Sequence, residues 1–363
     1  MTGLPPAESL FAAIRESCAA CTARSSISID GQAIDTFISG IKQEDWTPSN
    51  HGLRMPLAFE SVEDELNVLA TLALLNFLSG YRYVLHRMAG RGAYSTILST
   101  VLAAYLSSPD SLLSTTGMIG ASAAQLASLA RISTHTERQH ESLPVTVGVK
   151  DDEALEVLEL LAGVLQQTGA ALRAAGHESL GAWVHESLVA AEGNAGAFVH
   201  DLASTFPAFR DVHVVDGEPV YLFKKALWLA TVVSLRFKGE NVSFQVPAVV
   251  GTPVFADNVL PTLLVHRGIL SLSSSTDPAL AALSLAKPDT LLLSSDSATR
   301  LRAAAVTACA AIVERAHEKS DEEGRGWLAA WTEQQLDGWL WDQGKRDELR
   351  KVERVAERGT VFY

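Results

Sequence analysis

Apolar residues recur at helical spacing over most of this 363-residue chain, and that period constrains its fold more than any other feature. Side chains three and four positions apart share one face of a helix, so each such segment has an apolar face to bury. The pattern predicts helices at residues 6–22, 34–41, 61–77, 95–106, 151–175, 177–206, 223–237, 258–266, 277–286, 297–319 and 326–344. We therefore expect a mainly α protein, organised as a single domain over residues 1–363, with two helical lobes as an open alternative.

Three segments depart from this period. Residues 212–222 hold two β-prone runs separated by Asp216-Gly217, which predicts a tight β-hairpin. Residues 131–150 are polar and contain Pro144, which predicts a surface loop, and residues 81–85 suggest a short strand.

Composition excludes several classes of protein. The net charge of −13 disfavours direct binding to nucleic acid, which needs a basic face. Three cysteines indicate a reducing compartment rather than a disulfide framework. A zinc site needs about four ligands, and the sequence offers only pairs of candidate ligands, Cys18 with Cys21 and His135 with His140. The longest apolar run, residues 66–78, is shorter than the roughly 20 residues that span a bilayer. We expect a cytoplasmic protein with no membrane partner.

Residues 335–342 place two carboxylates, Asp337 and Asp342, among large apolar side chains. An isolated ionised carboxylate in an apolar setting is costly, so it loses its charge or finds a partner. Five residues apart on a helix, the two side chains point about 140° from each other, which indicates separate roles. The structural alternative is a C-terminal helix that buries Leu336 and Leu340 and leaves both carboxylates in solvent.

An ordered set of short segments resembles the queuosine salvage family, the queuosine 5′-phosphate N-glycosylases. The resemblance covers essentially the whole chain, and residues 108–150 match it poorly. Its segments are residues 6–9, 28–31, Trp46 with His51, 75–77, 206–212, 222–226, 254–261, 337–342 and 360–363.

The resemblance implies a helical enzyme similar to the DNA-glycosylase helical folds. Such an enzyme would hydrolyse the base–ribose bond of queuosine 5′-phosphate and release queuine for transfer-RNA modification. Its partners would be this small-molecule substrate and its product. No metal or organic cofactor is expected.

The resemblance also implies roles for particular side chains. Asp342 resembles the catalytic carboxylate, which would stabilise or attack a sugar that becomes cationic as its base departs. Asp337 resembles a carboxylate that binds the amine and diol of queuine, and Asp257 would meet the base edge. Phe255 would stack on the deazaguanine ring. The remaining contacts would come from His51, a ligand-contacting histidine, and Lys224, a point charge for the 5′-phosphate, with Arg82 or Arg210 as weaker candidates.

Each role has a structural alternative. Phe255 is equally a core residue, Asp257 an N-cap, Lys224 a solvated residue of a first helical turn, and His51 an ordinary loop histidine. The sequence also departs from the pattern of the family that it resembles at Gly338, where that pattern has an aromatic residue, and at Ala73, where it often has a carboxylate. The competing functions are a nucleosidase or nucleotidase for another purine-like substrate, and a non-catalytic helical binding protein.

Overall fold

The computed structural model describes residues 3–47, 55, 57–107 and 112–363. This part of the chain is mainly helical, which confirms the predicted fold class. The α-helices are α1 Leu10–Arg24, α2 Gly31–Ser39, α3 Val62–Leu75, α4 Arg82–Ala89, α5 Ala93–Ser107, α6 Thr115–Ile119, α7 Ala123–Ala130, α8 Asp152–Ala175, α9 Leu180–Ala190, α10 Ala195–Thr205, α11 Lys224–Phe237, α12 Val259–His266, α13 Pro278–Ala281, α14 Ser295–Glu318, α15 Glu333–Gln343 and α16 Asp347–Lys351.

Six short strands form three antiparallel two-stranded sheets in the described residues. Their bounds are β1 Ser28–Ile29, β2 His135–Gln139, β3 Thr146–Lys150, β4 Val212–Val215, β5 Glu218–Tyr221 and β6 Leu270–Ser271. The pairs are β1 with β6, β2 with β3 and β4 with β5.

The β4–β5 hairpin lies where the sequence predicts it. Val212 pairs with Tyr221 and Val215 with Glu218, so a two-residue turn joins the strands. Asp216 and Gly217 both have positive φ, 55° and 80°. A type I′ turn requires this conformation, and it explains why an Asp-Gly pair stands there.

The other two predictions of non-helical segments are wrong. Residues 81–85 belong to a 3₁₀ turn, Ser79–Tyr81, and to helix α4 rather than to a strand. Residues 131–150 contain the β2–β3 hairpin instead of an irregular loop, although the hairpin is largely exposed, as a surface segment should be.

The chain divides into two units. The first comprises Met1–Pro56, Ala191–Ser204 and Phe209–Glu357, and the second comprises Leu57–Ala190, Thr205–Ala208 and Arg358–Tyr363. Whether both belong to one functional domain stays a prediction.

Helix α14 forms the centre of the first unit, where it packs against α1, α12, α15 and β4. Its buried positions are rich in alanine, which allows neighbouring helices to approach closely. A charged side chain in such a helix must find partners inside the protein, and Arg302 is in that position, with 2% of its side chain exposed.

In the second unit, α3 packs against α9 at Gly181, where an added Cβ would meet the backbone of Glu63 and the side chain of Asn67. Asn67 fixes this crossing, because its Oδ1 accepts the Gly181 N–H at 3.0 Å and its Nδ2 donates to the Leu113 carbonyl. The tail at 358–363 joins the same unit through the Gly359 N–H, which donates to Tyr81 Oη at 2.9 Å.

No single helix in the described ranges is long and apolar enough to cross a membrane. One pair bent by 65°, Val62–Leu75 with Ser79–Ala89, meets the length and composition required.

Candidate active site

The candidate site lies in the first unit, where the β4–β5 hairpin leads into helix α11. Phe223 forms the junction with φ 47° and ψ 33°, a left-handed conformation that is unusual for a bulky residue. Its turn lets Lys224 begin the helix, and the Lys224 N–H donates to Asp211 Oδ2 at 3.2 Å. The Leu222 N–H donates to the carbonyl of the same Asp211. One buried aspartate therefore organises both sides of this junction.

Lys224 is buried rather than solvated, with 5% of the residue exposed. Burial lowers the pKa of its ammonium from 10.5 to about 8, although the nearby carboxylates of Asp257, Asp211 and Asp337 oppose that change. A cation held here at neutral pH is positioned to meet an anionic group. The expectation that Lys224 is a surface residue of a first helical turn is therefore excluded.

Asp257 lies two residues before the first residue of helix α12 and is half-buried. Its Oδ1 accepts the Val259 N–H at 2.6 Å, so this side chain does help to start the helix. Its Oδ2 makes no hydrogen bond with any described residue, and Lys224 lies near enough to interact with its charge. Asp257 can therefore accept a hydrogen bond from the start of the helix with Oδ1 and contact a ligand with Oδ2.

Asp337 lies on α15 and is 4% exposed. Its Oδ2 accepts the Phe255 N–H at 2.9 Å, a contact that joins α15 to the segment before α12. Burial, reinforced by the charge of Asp257, raises the pKa of Asp337 well above its usual range, although the Phe255 N–H and Lys224 act in the opposite direction. The environment thus favours a carboxylic acid at Asp337.

Helix α15 is positioned at its start by a capping box, in which Thr332 and Gln335 satisfy each other's backbone N–H groups. Glu333 in its first turn pairs with Arg15 of α1 at 2.5 Å, and Arg15 also donates to the Gly251 carbonyl at 2.7 Å. These contacts fix the end of the helix nearest Asp337.

Phe255 is 8% exposed, so in this structure its ring is part of the core. Its backbone contributes to the site through Asp337. The stacking role of the ring stays a prediction.

Asp342 is further along α15, with 22% of its side chain exposed. Lys345 Nζ lies 4.0 Å from its Oδ1 and 3.0 Å from the centre of the Trp341 ring. The helix directs Asp342 and Asp337 to different sides, as their spacing predicts. The structure therefore gathers Lys224, Asp257, Asp337 and the Phe255 backbone, whereas Asp342 contacts Lys345. The catalytic role of Asp342 stays a prediction.

His51 lies outside the described residues. Its neighbour in the resemblance, Trp46, stacks on Trp331 with ring centres 3.8 Å apart and an interplanar angle of 10°. Trp339 donates from Nε1 to the Asp45 carbonyl at 3.0 Å. These contacts join the segment before His51 to the C-terminal part of the first unit.

Sequence reasoning missed Arg302. It pairs with Asp211 through two hydrogen bonds, 3.2 Å from Nη1 to Oδ1 and 2.6 Å from Nη2 to Oδ2. Burial alone would raise the pKa of Asp211, but Arg302 and His213 hold it well below its ordinary value. The signal was an arginine inside the alanine-rich stretch 301–306, where every neighbour is apolar.

No group of three or more His, Cys, Asp or Glu side chains in the described ranges is arranged to hold a metal ion. The CxxC pair, Cys18 and Cys21, is buried in α1, and its thiols are free.

Comparison with known proteins decides the family. The sequence profile of the queuosine salvage proteins matches residues 122–363. The chain belongs to the queuosine salvage protein family. A curated relative from Sphaerobacter thermophilus, named queuosine 5′-phosphate N-glycosylase/hydrolase, is 30% identical over 211 residues.

That alignment covers 58% of this chain and 59% of the relative, so the chain spans less than two thirds of the relative's length. Lys224, Asp257 and Asp337 all fall inside the region that the family profile matches. The side chains that the structure gathers are therefore in the part of the chain that carries the family relationship.

Proposed function

We propose that this chain hydrolyses the N-glycosidic bond of queuosine 5′-phosphate and releases queuine. Water would add across the bond between base and sugar, so the second product is ribose 5-phosphate. The observation that supports this most is the convergence of two carboxyl groups, Asp257 and Asp337, on a buried cation, Lys224. The family relationship supports this choice of substrate class.

The reaction needs stabilisation of positive charge on the ribose as the base departs. A fixed carboxylate beside the anomeric carbon supplies it, and its effect is large where water is excluded. The family resemblance assigns this role to Asp342. The geometry supports a second candidate, Asp257, because its Oδ2 is available and the buried cluster surrounds it.

The departing base also needs a proton or a strong hydrogen bond. A carboxylic acid whose environment raises its pKa can donate one, while a neighbouring carboxylate with different surroundings supports the sugar. Asp337 has this environment. In the role that the family resemblance assigns, Asp337 instead binds the cationic amine of queuine as a carboxylate, and in that form it does not protonate the departing base.

Lys224 would bind the 5′-phosphate as a point charge. With a pKa of about 8 it is mostly protonated at neutral pH. Phe255 would stack on the deazaguanine ring, and His51 would contact the ligand.

Turnover of single Asp-to-Asn variants tests this proposal. Loss of a group that stabilises the transition state costs roughly 10²–10³-fold in kcat. A loss of that size in Asp342→Asn would support the assignment from resemblance. If Asp257→Asn shows it and Asp342→Asn stays within a few-fold of wild type, the chemistry belongs to the buried cluster. Wild-type rates in folded Asp342→Asn, Asp257→Asn and Asp337→Asn proteins would contradict the proposed mechanism.

Specificity gives a second test. Buried polar groups that match the queuine side arm should reject guanosine monophosphate by roughly 10⁴-fold in kcat/KM, because their partners would be missing. Equal turnover of both substrates would indicate a general nucleotide glycosylase instead.

A further inference from the structure

The guanidinium of Arg302 donates hydrogen bonds to two different residues. Its Nε donates to the Ala256 carbonyl at 2.9 Å, and its Nη1 and Nη2 donate to the carboxylate of Asp211. Both partners adjoin the candidate site. Ala256 is the residue before Asp257, and Asp211 accepts the backbone N–H of Lys224.

Asp211 is in turn held by four donors. Besides the two Arg302 groups and the Lys224 N–H, His213 Nε2 lies 2.9 Å from its Oδ1. Asp211 and Arg302 are each 2% exposed at the side chain, whereas His213 is 13% exposed. The network thus begins near the surface at His213 and ends at the two backbone segments that carry Asp257 and Lys224.

We infer that Arg302 is a positioning residue, which acts with Asp211 to fix the backbone before Asp257 relative to the first turn of α11 that begins with Lys224. The catalytic consequence rests on the proposed function. The structural consequence does not, because it concerns only the two backbone segments.

The arrangement depends on a guanidinium. Arginine presents several N–H groups in one planar fork, so it can bind a carboxylate with two bonds and still donate from Nε. A lysine carries the same charge as a single point. It can keep one of these partners, but it cannot hold Asp211 and the Ala256 carbonyl in the observed geometry.

Arg300 provides a matched control. It lies two residues earlier on the same helix, is 14% exposed, and bonds two carboxylates, Asp216 at 2.6 Å and Asp277 at 3.3 Å. Neither carboxylate adjoins Lys224, Asp257 or Asp337 in the sequence. Arg300→Lys therefore weakens a comparable ion pair of α14 without releasing the segments of the candidate site.

The experiment compares Arg302→Lys with Arg300→Lys in the full chain. Hydrogen–deuterium exchange is measured on peptides that cover residues 222–227 and 253–260. These peptides contain the amides of Lys224, Phe255 and Val259, whose acceptors are Asp211, Asp337 and Asp257. We expect both peptides to exchange faster in Arg302→Lys and to match wild type in Arg300→Lys.

The kinetic readout uses queuosine 5′-phosphate. A displacement of about 1 Å can cost about 10²-fold in rate, so we expect kcat to fall by about 10- to 100-fold in Arg302→Lys. KM should rise as well, because Lys224 is displaced with Asp257. A purely structural defect would reduce the folded fraction and leave KM unchanged.

His213→Leu provides a second test of the positioning role if Arg302→Lys does not fold. It removes one donor from Asp211 at the more exposed end of the network and leaves Arg302 paired. We expect a several-fold loss in kcat and faster exchange in 222–227.

Two results separate the possible failures. If wild type releases queuine and the Arg302 and Arg300 variants match in kcat, KM and exchange, the positioning role is wrong. If wild type releases no queuine, the proposed function fails, and exchange alone decides whether Arg302 fixes the two segments. Faster exchange only in Arg302→Lys would support that role, and equal exchange would overturn it.

Discussion

Replacing Lys224 with methionine should stabilise the protein at neutral pH and impair its function. Burial lowers the pKa of this ammonium from 10.5 to about 8, so the folded chain holds the proton less tightly than the unfolded chain does. At about 1.4 kcal/mol for each pKa unit, that difference corresponds to about 3 kcal/mol of destabilisation by the charged form. Methionine fills a similar volume without the charge.

The lowered pKa of Lys224 already includes its attraction to Asp257, Asp211 and Asp337, which opposes the effect of burial. We therefore expect the free energy of unfolding to rise by about 2–3 kcal/mol at pH 7. The sign follows from linkage: between pH 8 and 10.5 the unfolded state binds more protons, so the stability of wild type rises with pH in that window. The advantage of Lys224→Met should shrink over the same window and vanish near pH 10.5.

The assay is urea unfolding from pH 6.5 to 10.5, with the difference between wild type and variant taken at each pH. Lys42→Met serves as the control, since that lysine side chain is 72% exposed. A Lys224→Met protein that is less stable than wild type at pH 7, or whose advantage does not change with pH, would refute this reasoning.

Three further predictions concern other groups. Asp337→Asn should stabilise the chain by an amount that grows as pH rises from about 3.9, because burial raises the pKa of this carboxyl and the amide resembles its protonated form; a pH-independent effect in unfolding measurements would contradict it. Phe255→Ala should weaken queuine binding by about 1–3 kcal/mol in calorimetry if the ring stacks on the base. An unchanged affinity for queuine would show that the Phe255 ring packs in the core and does not stack on the base. Burial also raises the pKa of the Cys309 thiol well above its usual value, so a disulfide reagent should modify it only as the chain unfolds. Rapid labelling of the folded protein would show that the thiol is accessible.

The helices and the β4–β5 hairpin were predictable because their signals are local. Helical spacing of apolar residues and the Asp216-Gly217 pair each determine a backbone conformation within a few residues. Residues 81–85 misled the prediction because their aromatic and β-branched side chains favour strands only in a suitable context. The strands of the β2–β3 hairpin contain no fully buried residue, and β2 is polar throughout, so the segment resembles a loop in sequence.

The candidate site was predictable only in part. The spacing of Asp337 and Asp342 indicated that they point apart, but not that Asp337 is the buried one. The alternative that Lys224 is solvated was wrong, because it rested on the rule that lysine is rarely buried. The partner of Asp211 could not be found locally, since Arg302 is 91 residues away in the sequence. Long-range pairing of charges depends on how α14 packs, which the periodicity does not specify.

The most direct measurement is the release of free base from queuosine 5′-phosphate by the purified wild-type chain. Mass spectrometry would quantify queuine and ribose 5-phosphate over time, with guanosine monophosphate in a parallel reaction. We predict equimolar formation of the two products and roughly 10⁴-fold slower cleavage of guanosine monophosphate. A folded protein that leaves queuosine 5′-phosphate intact would contradict the proposed activity.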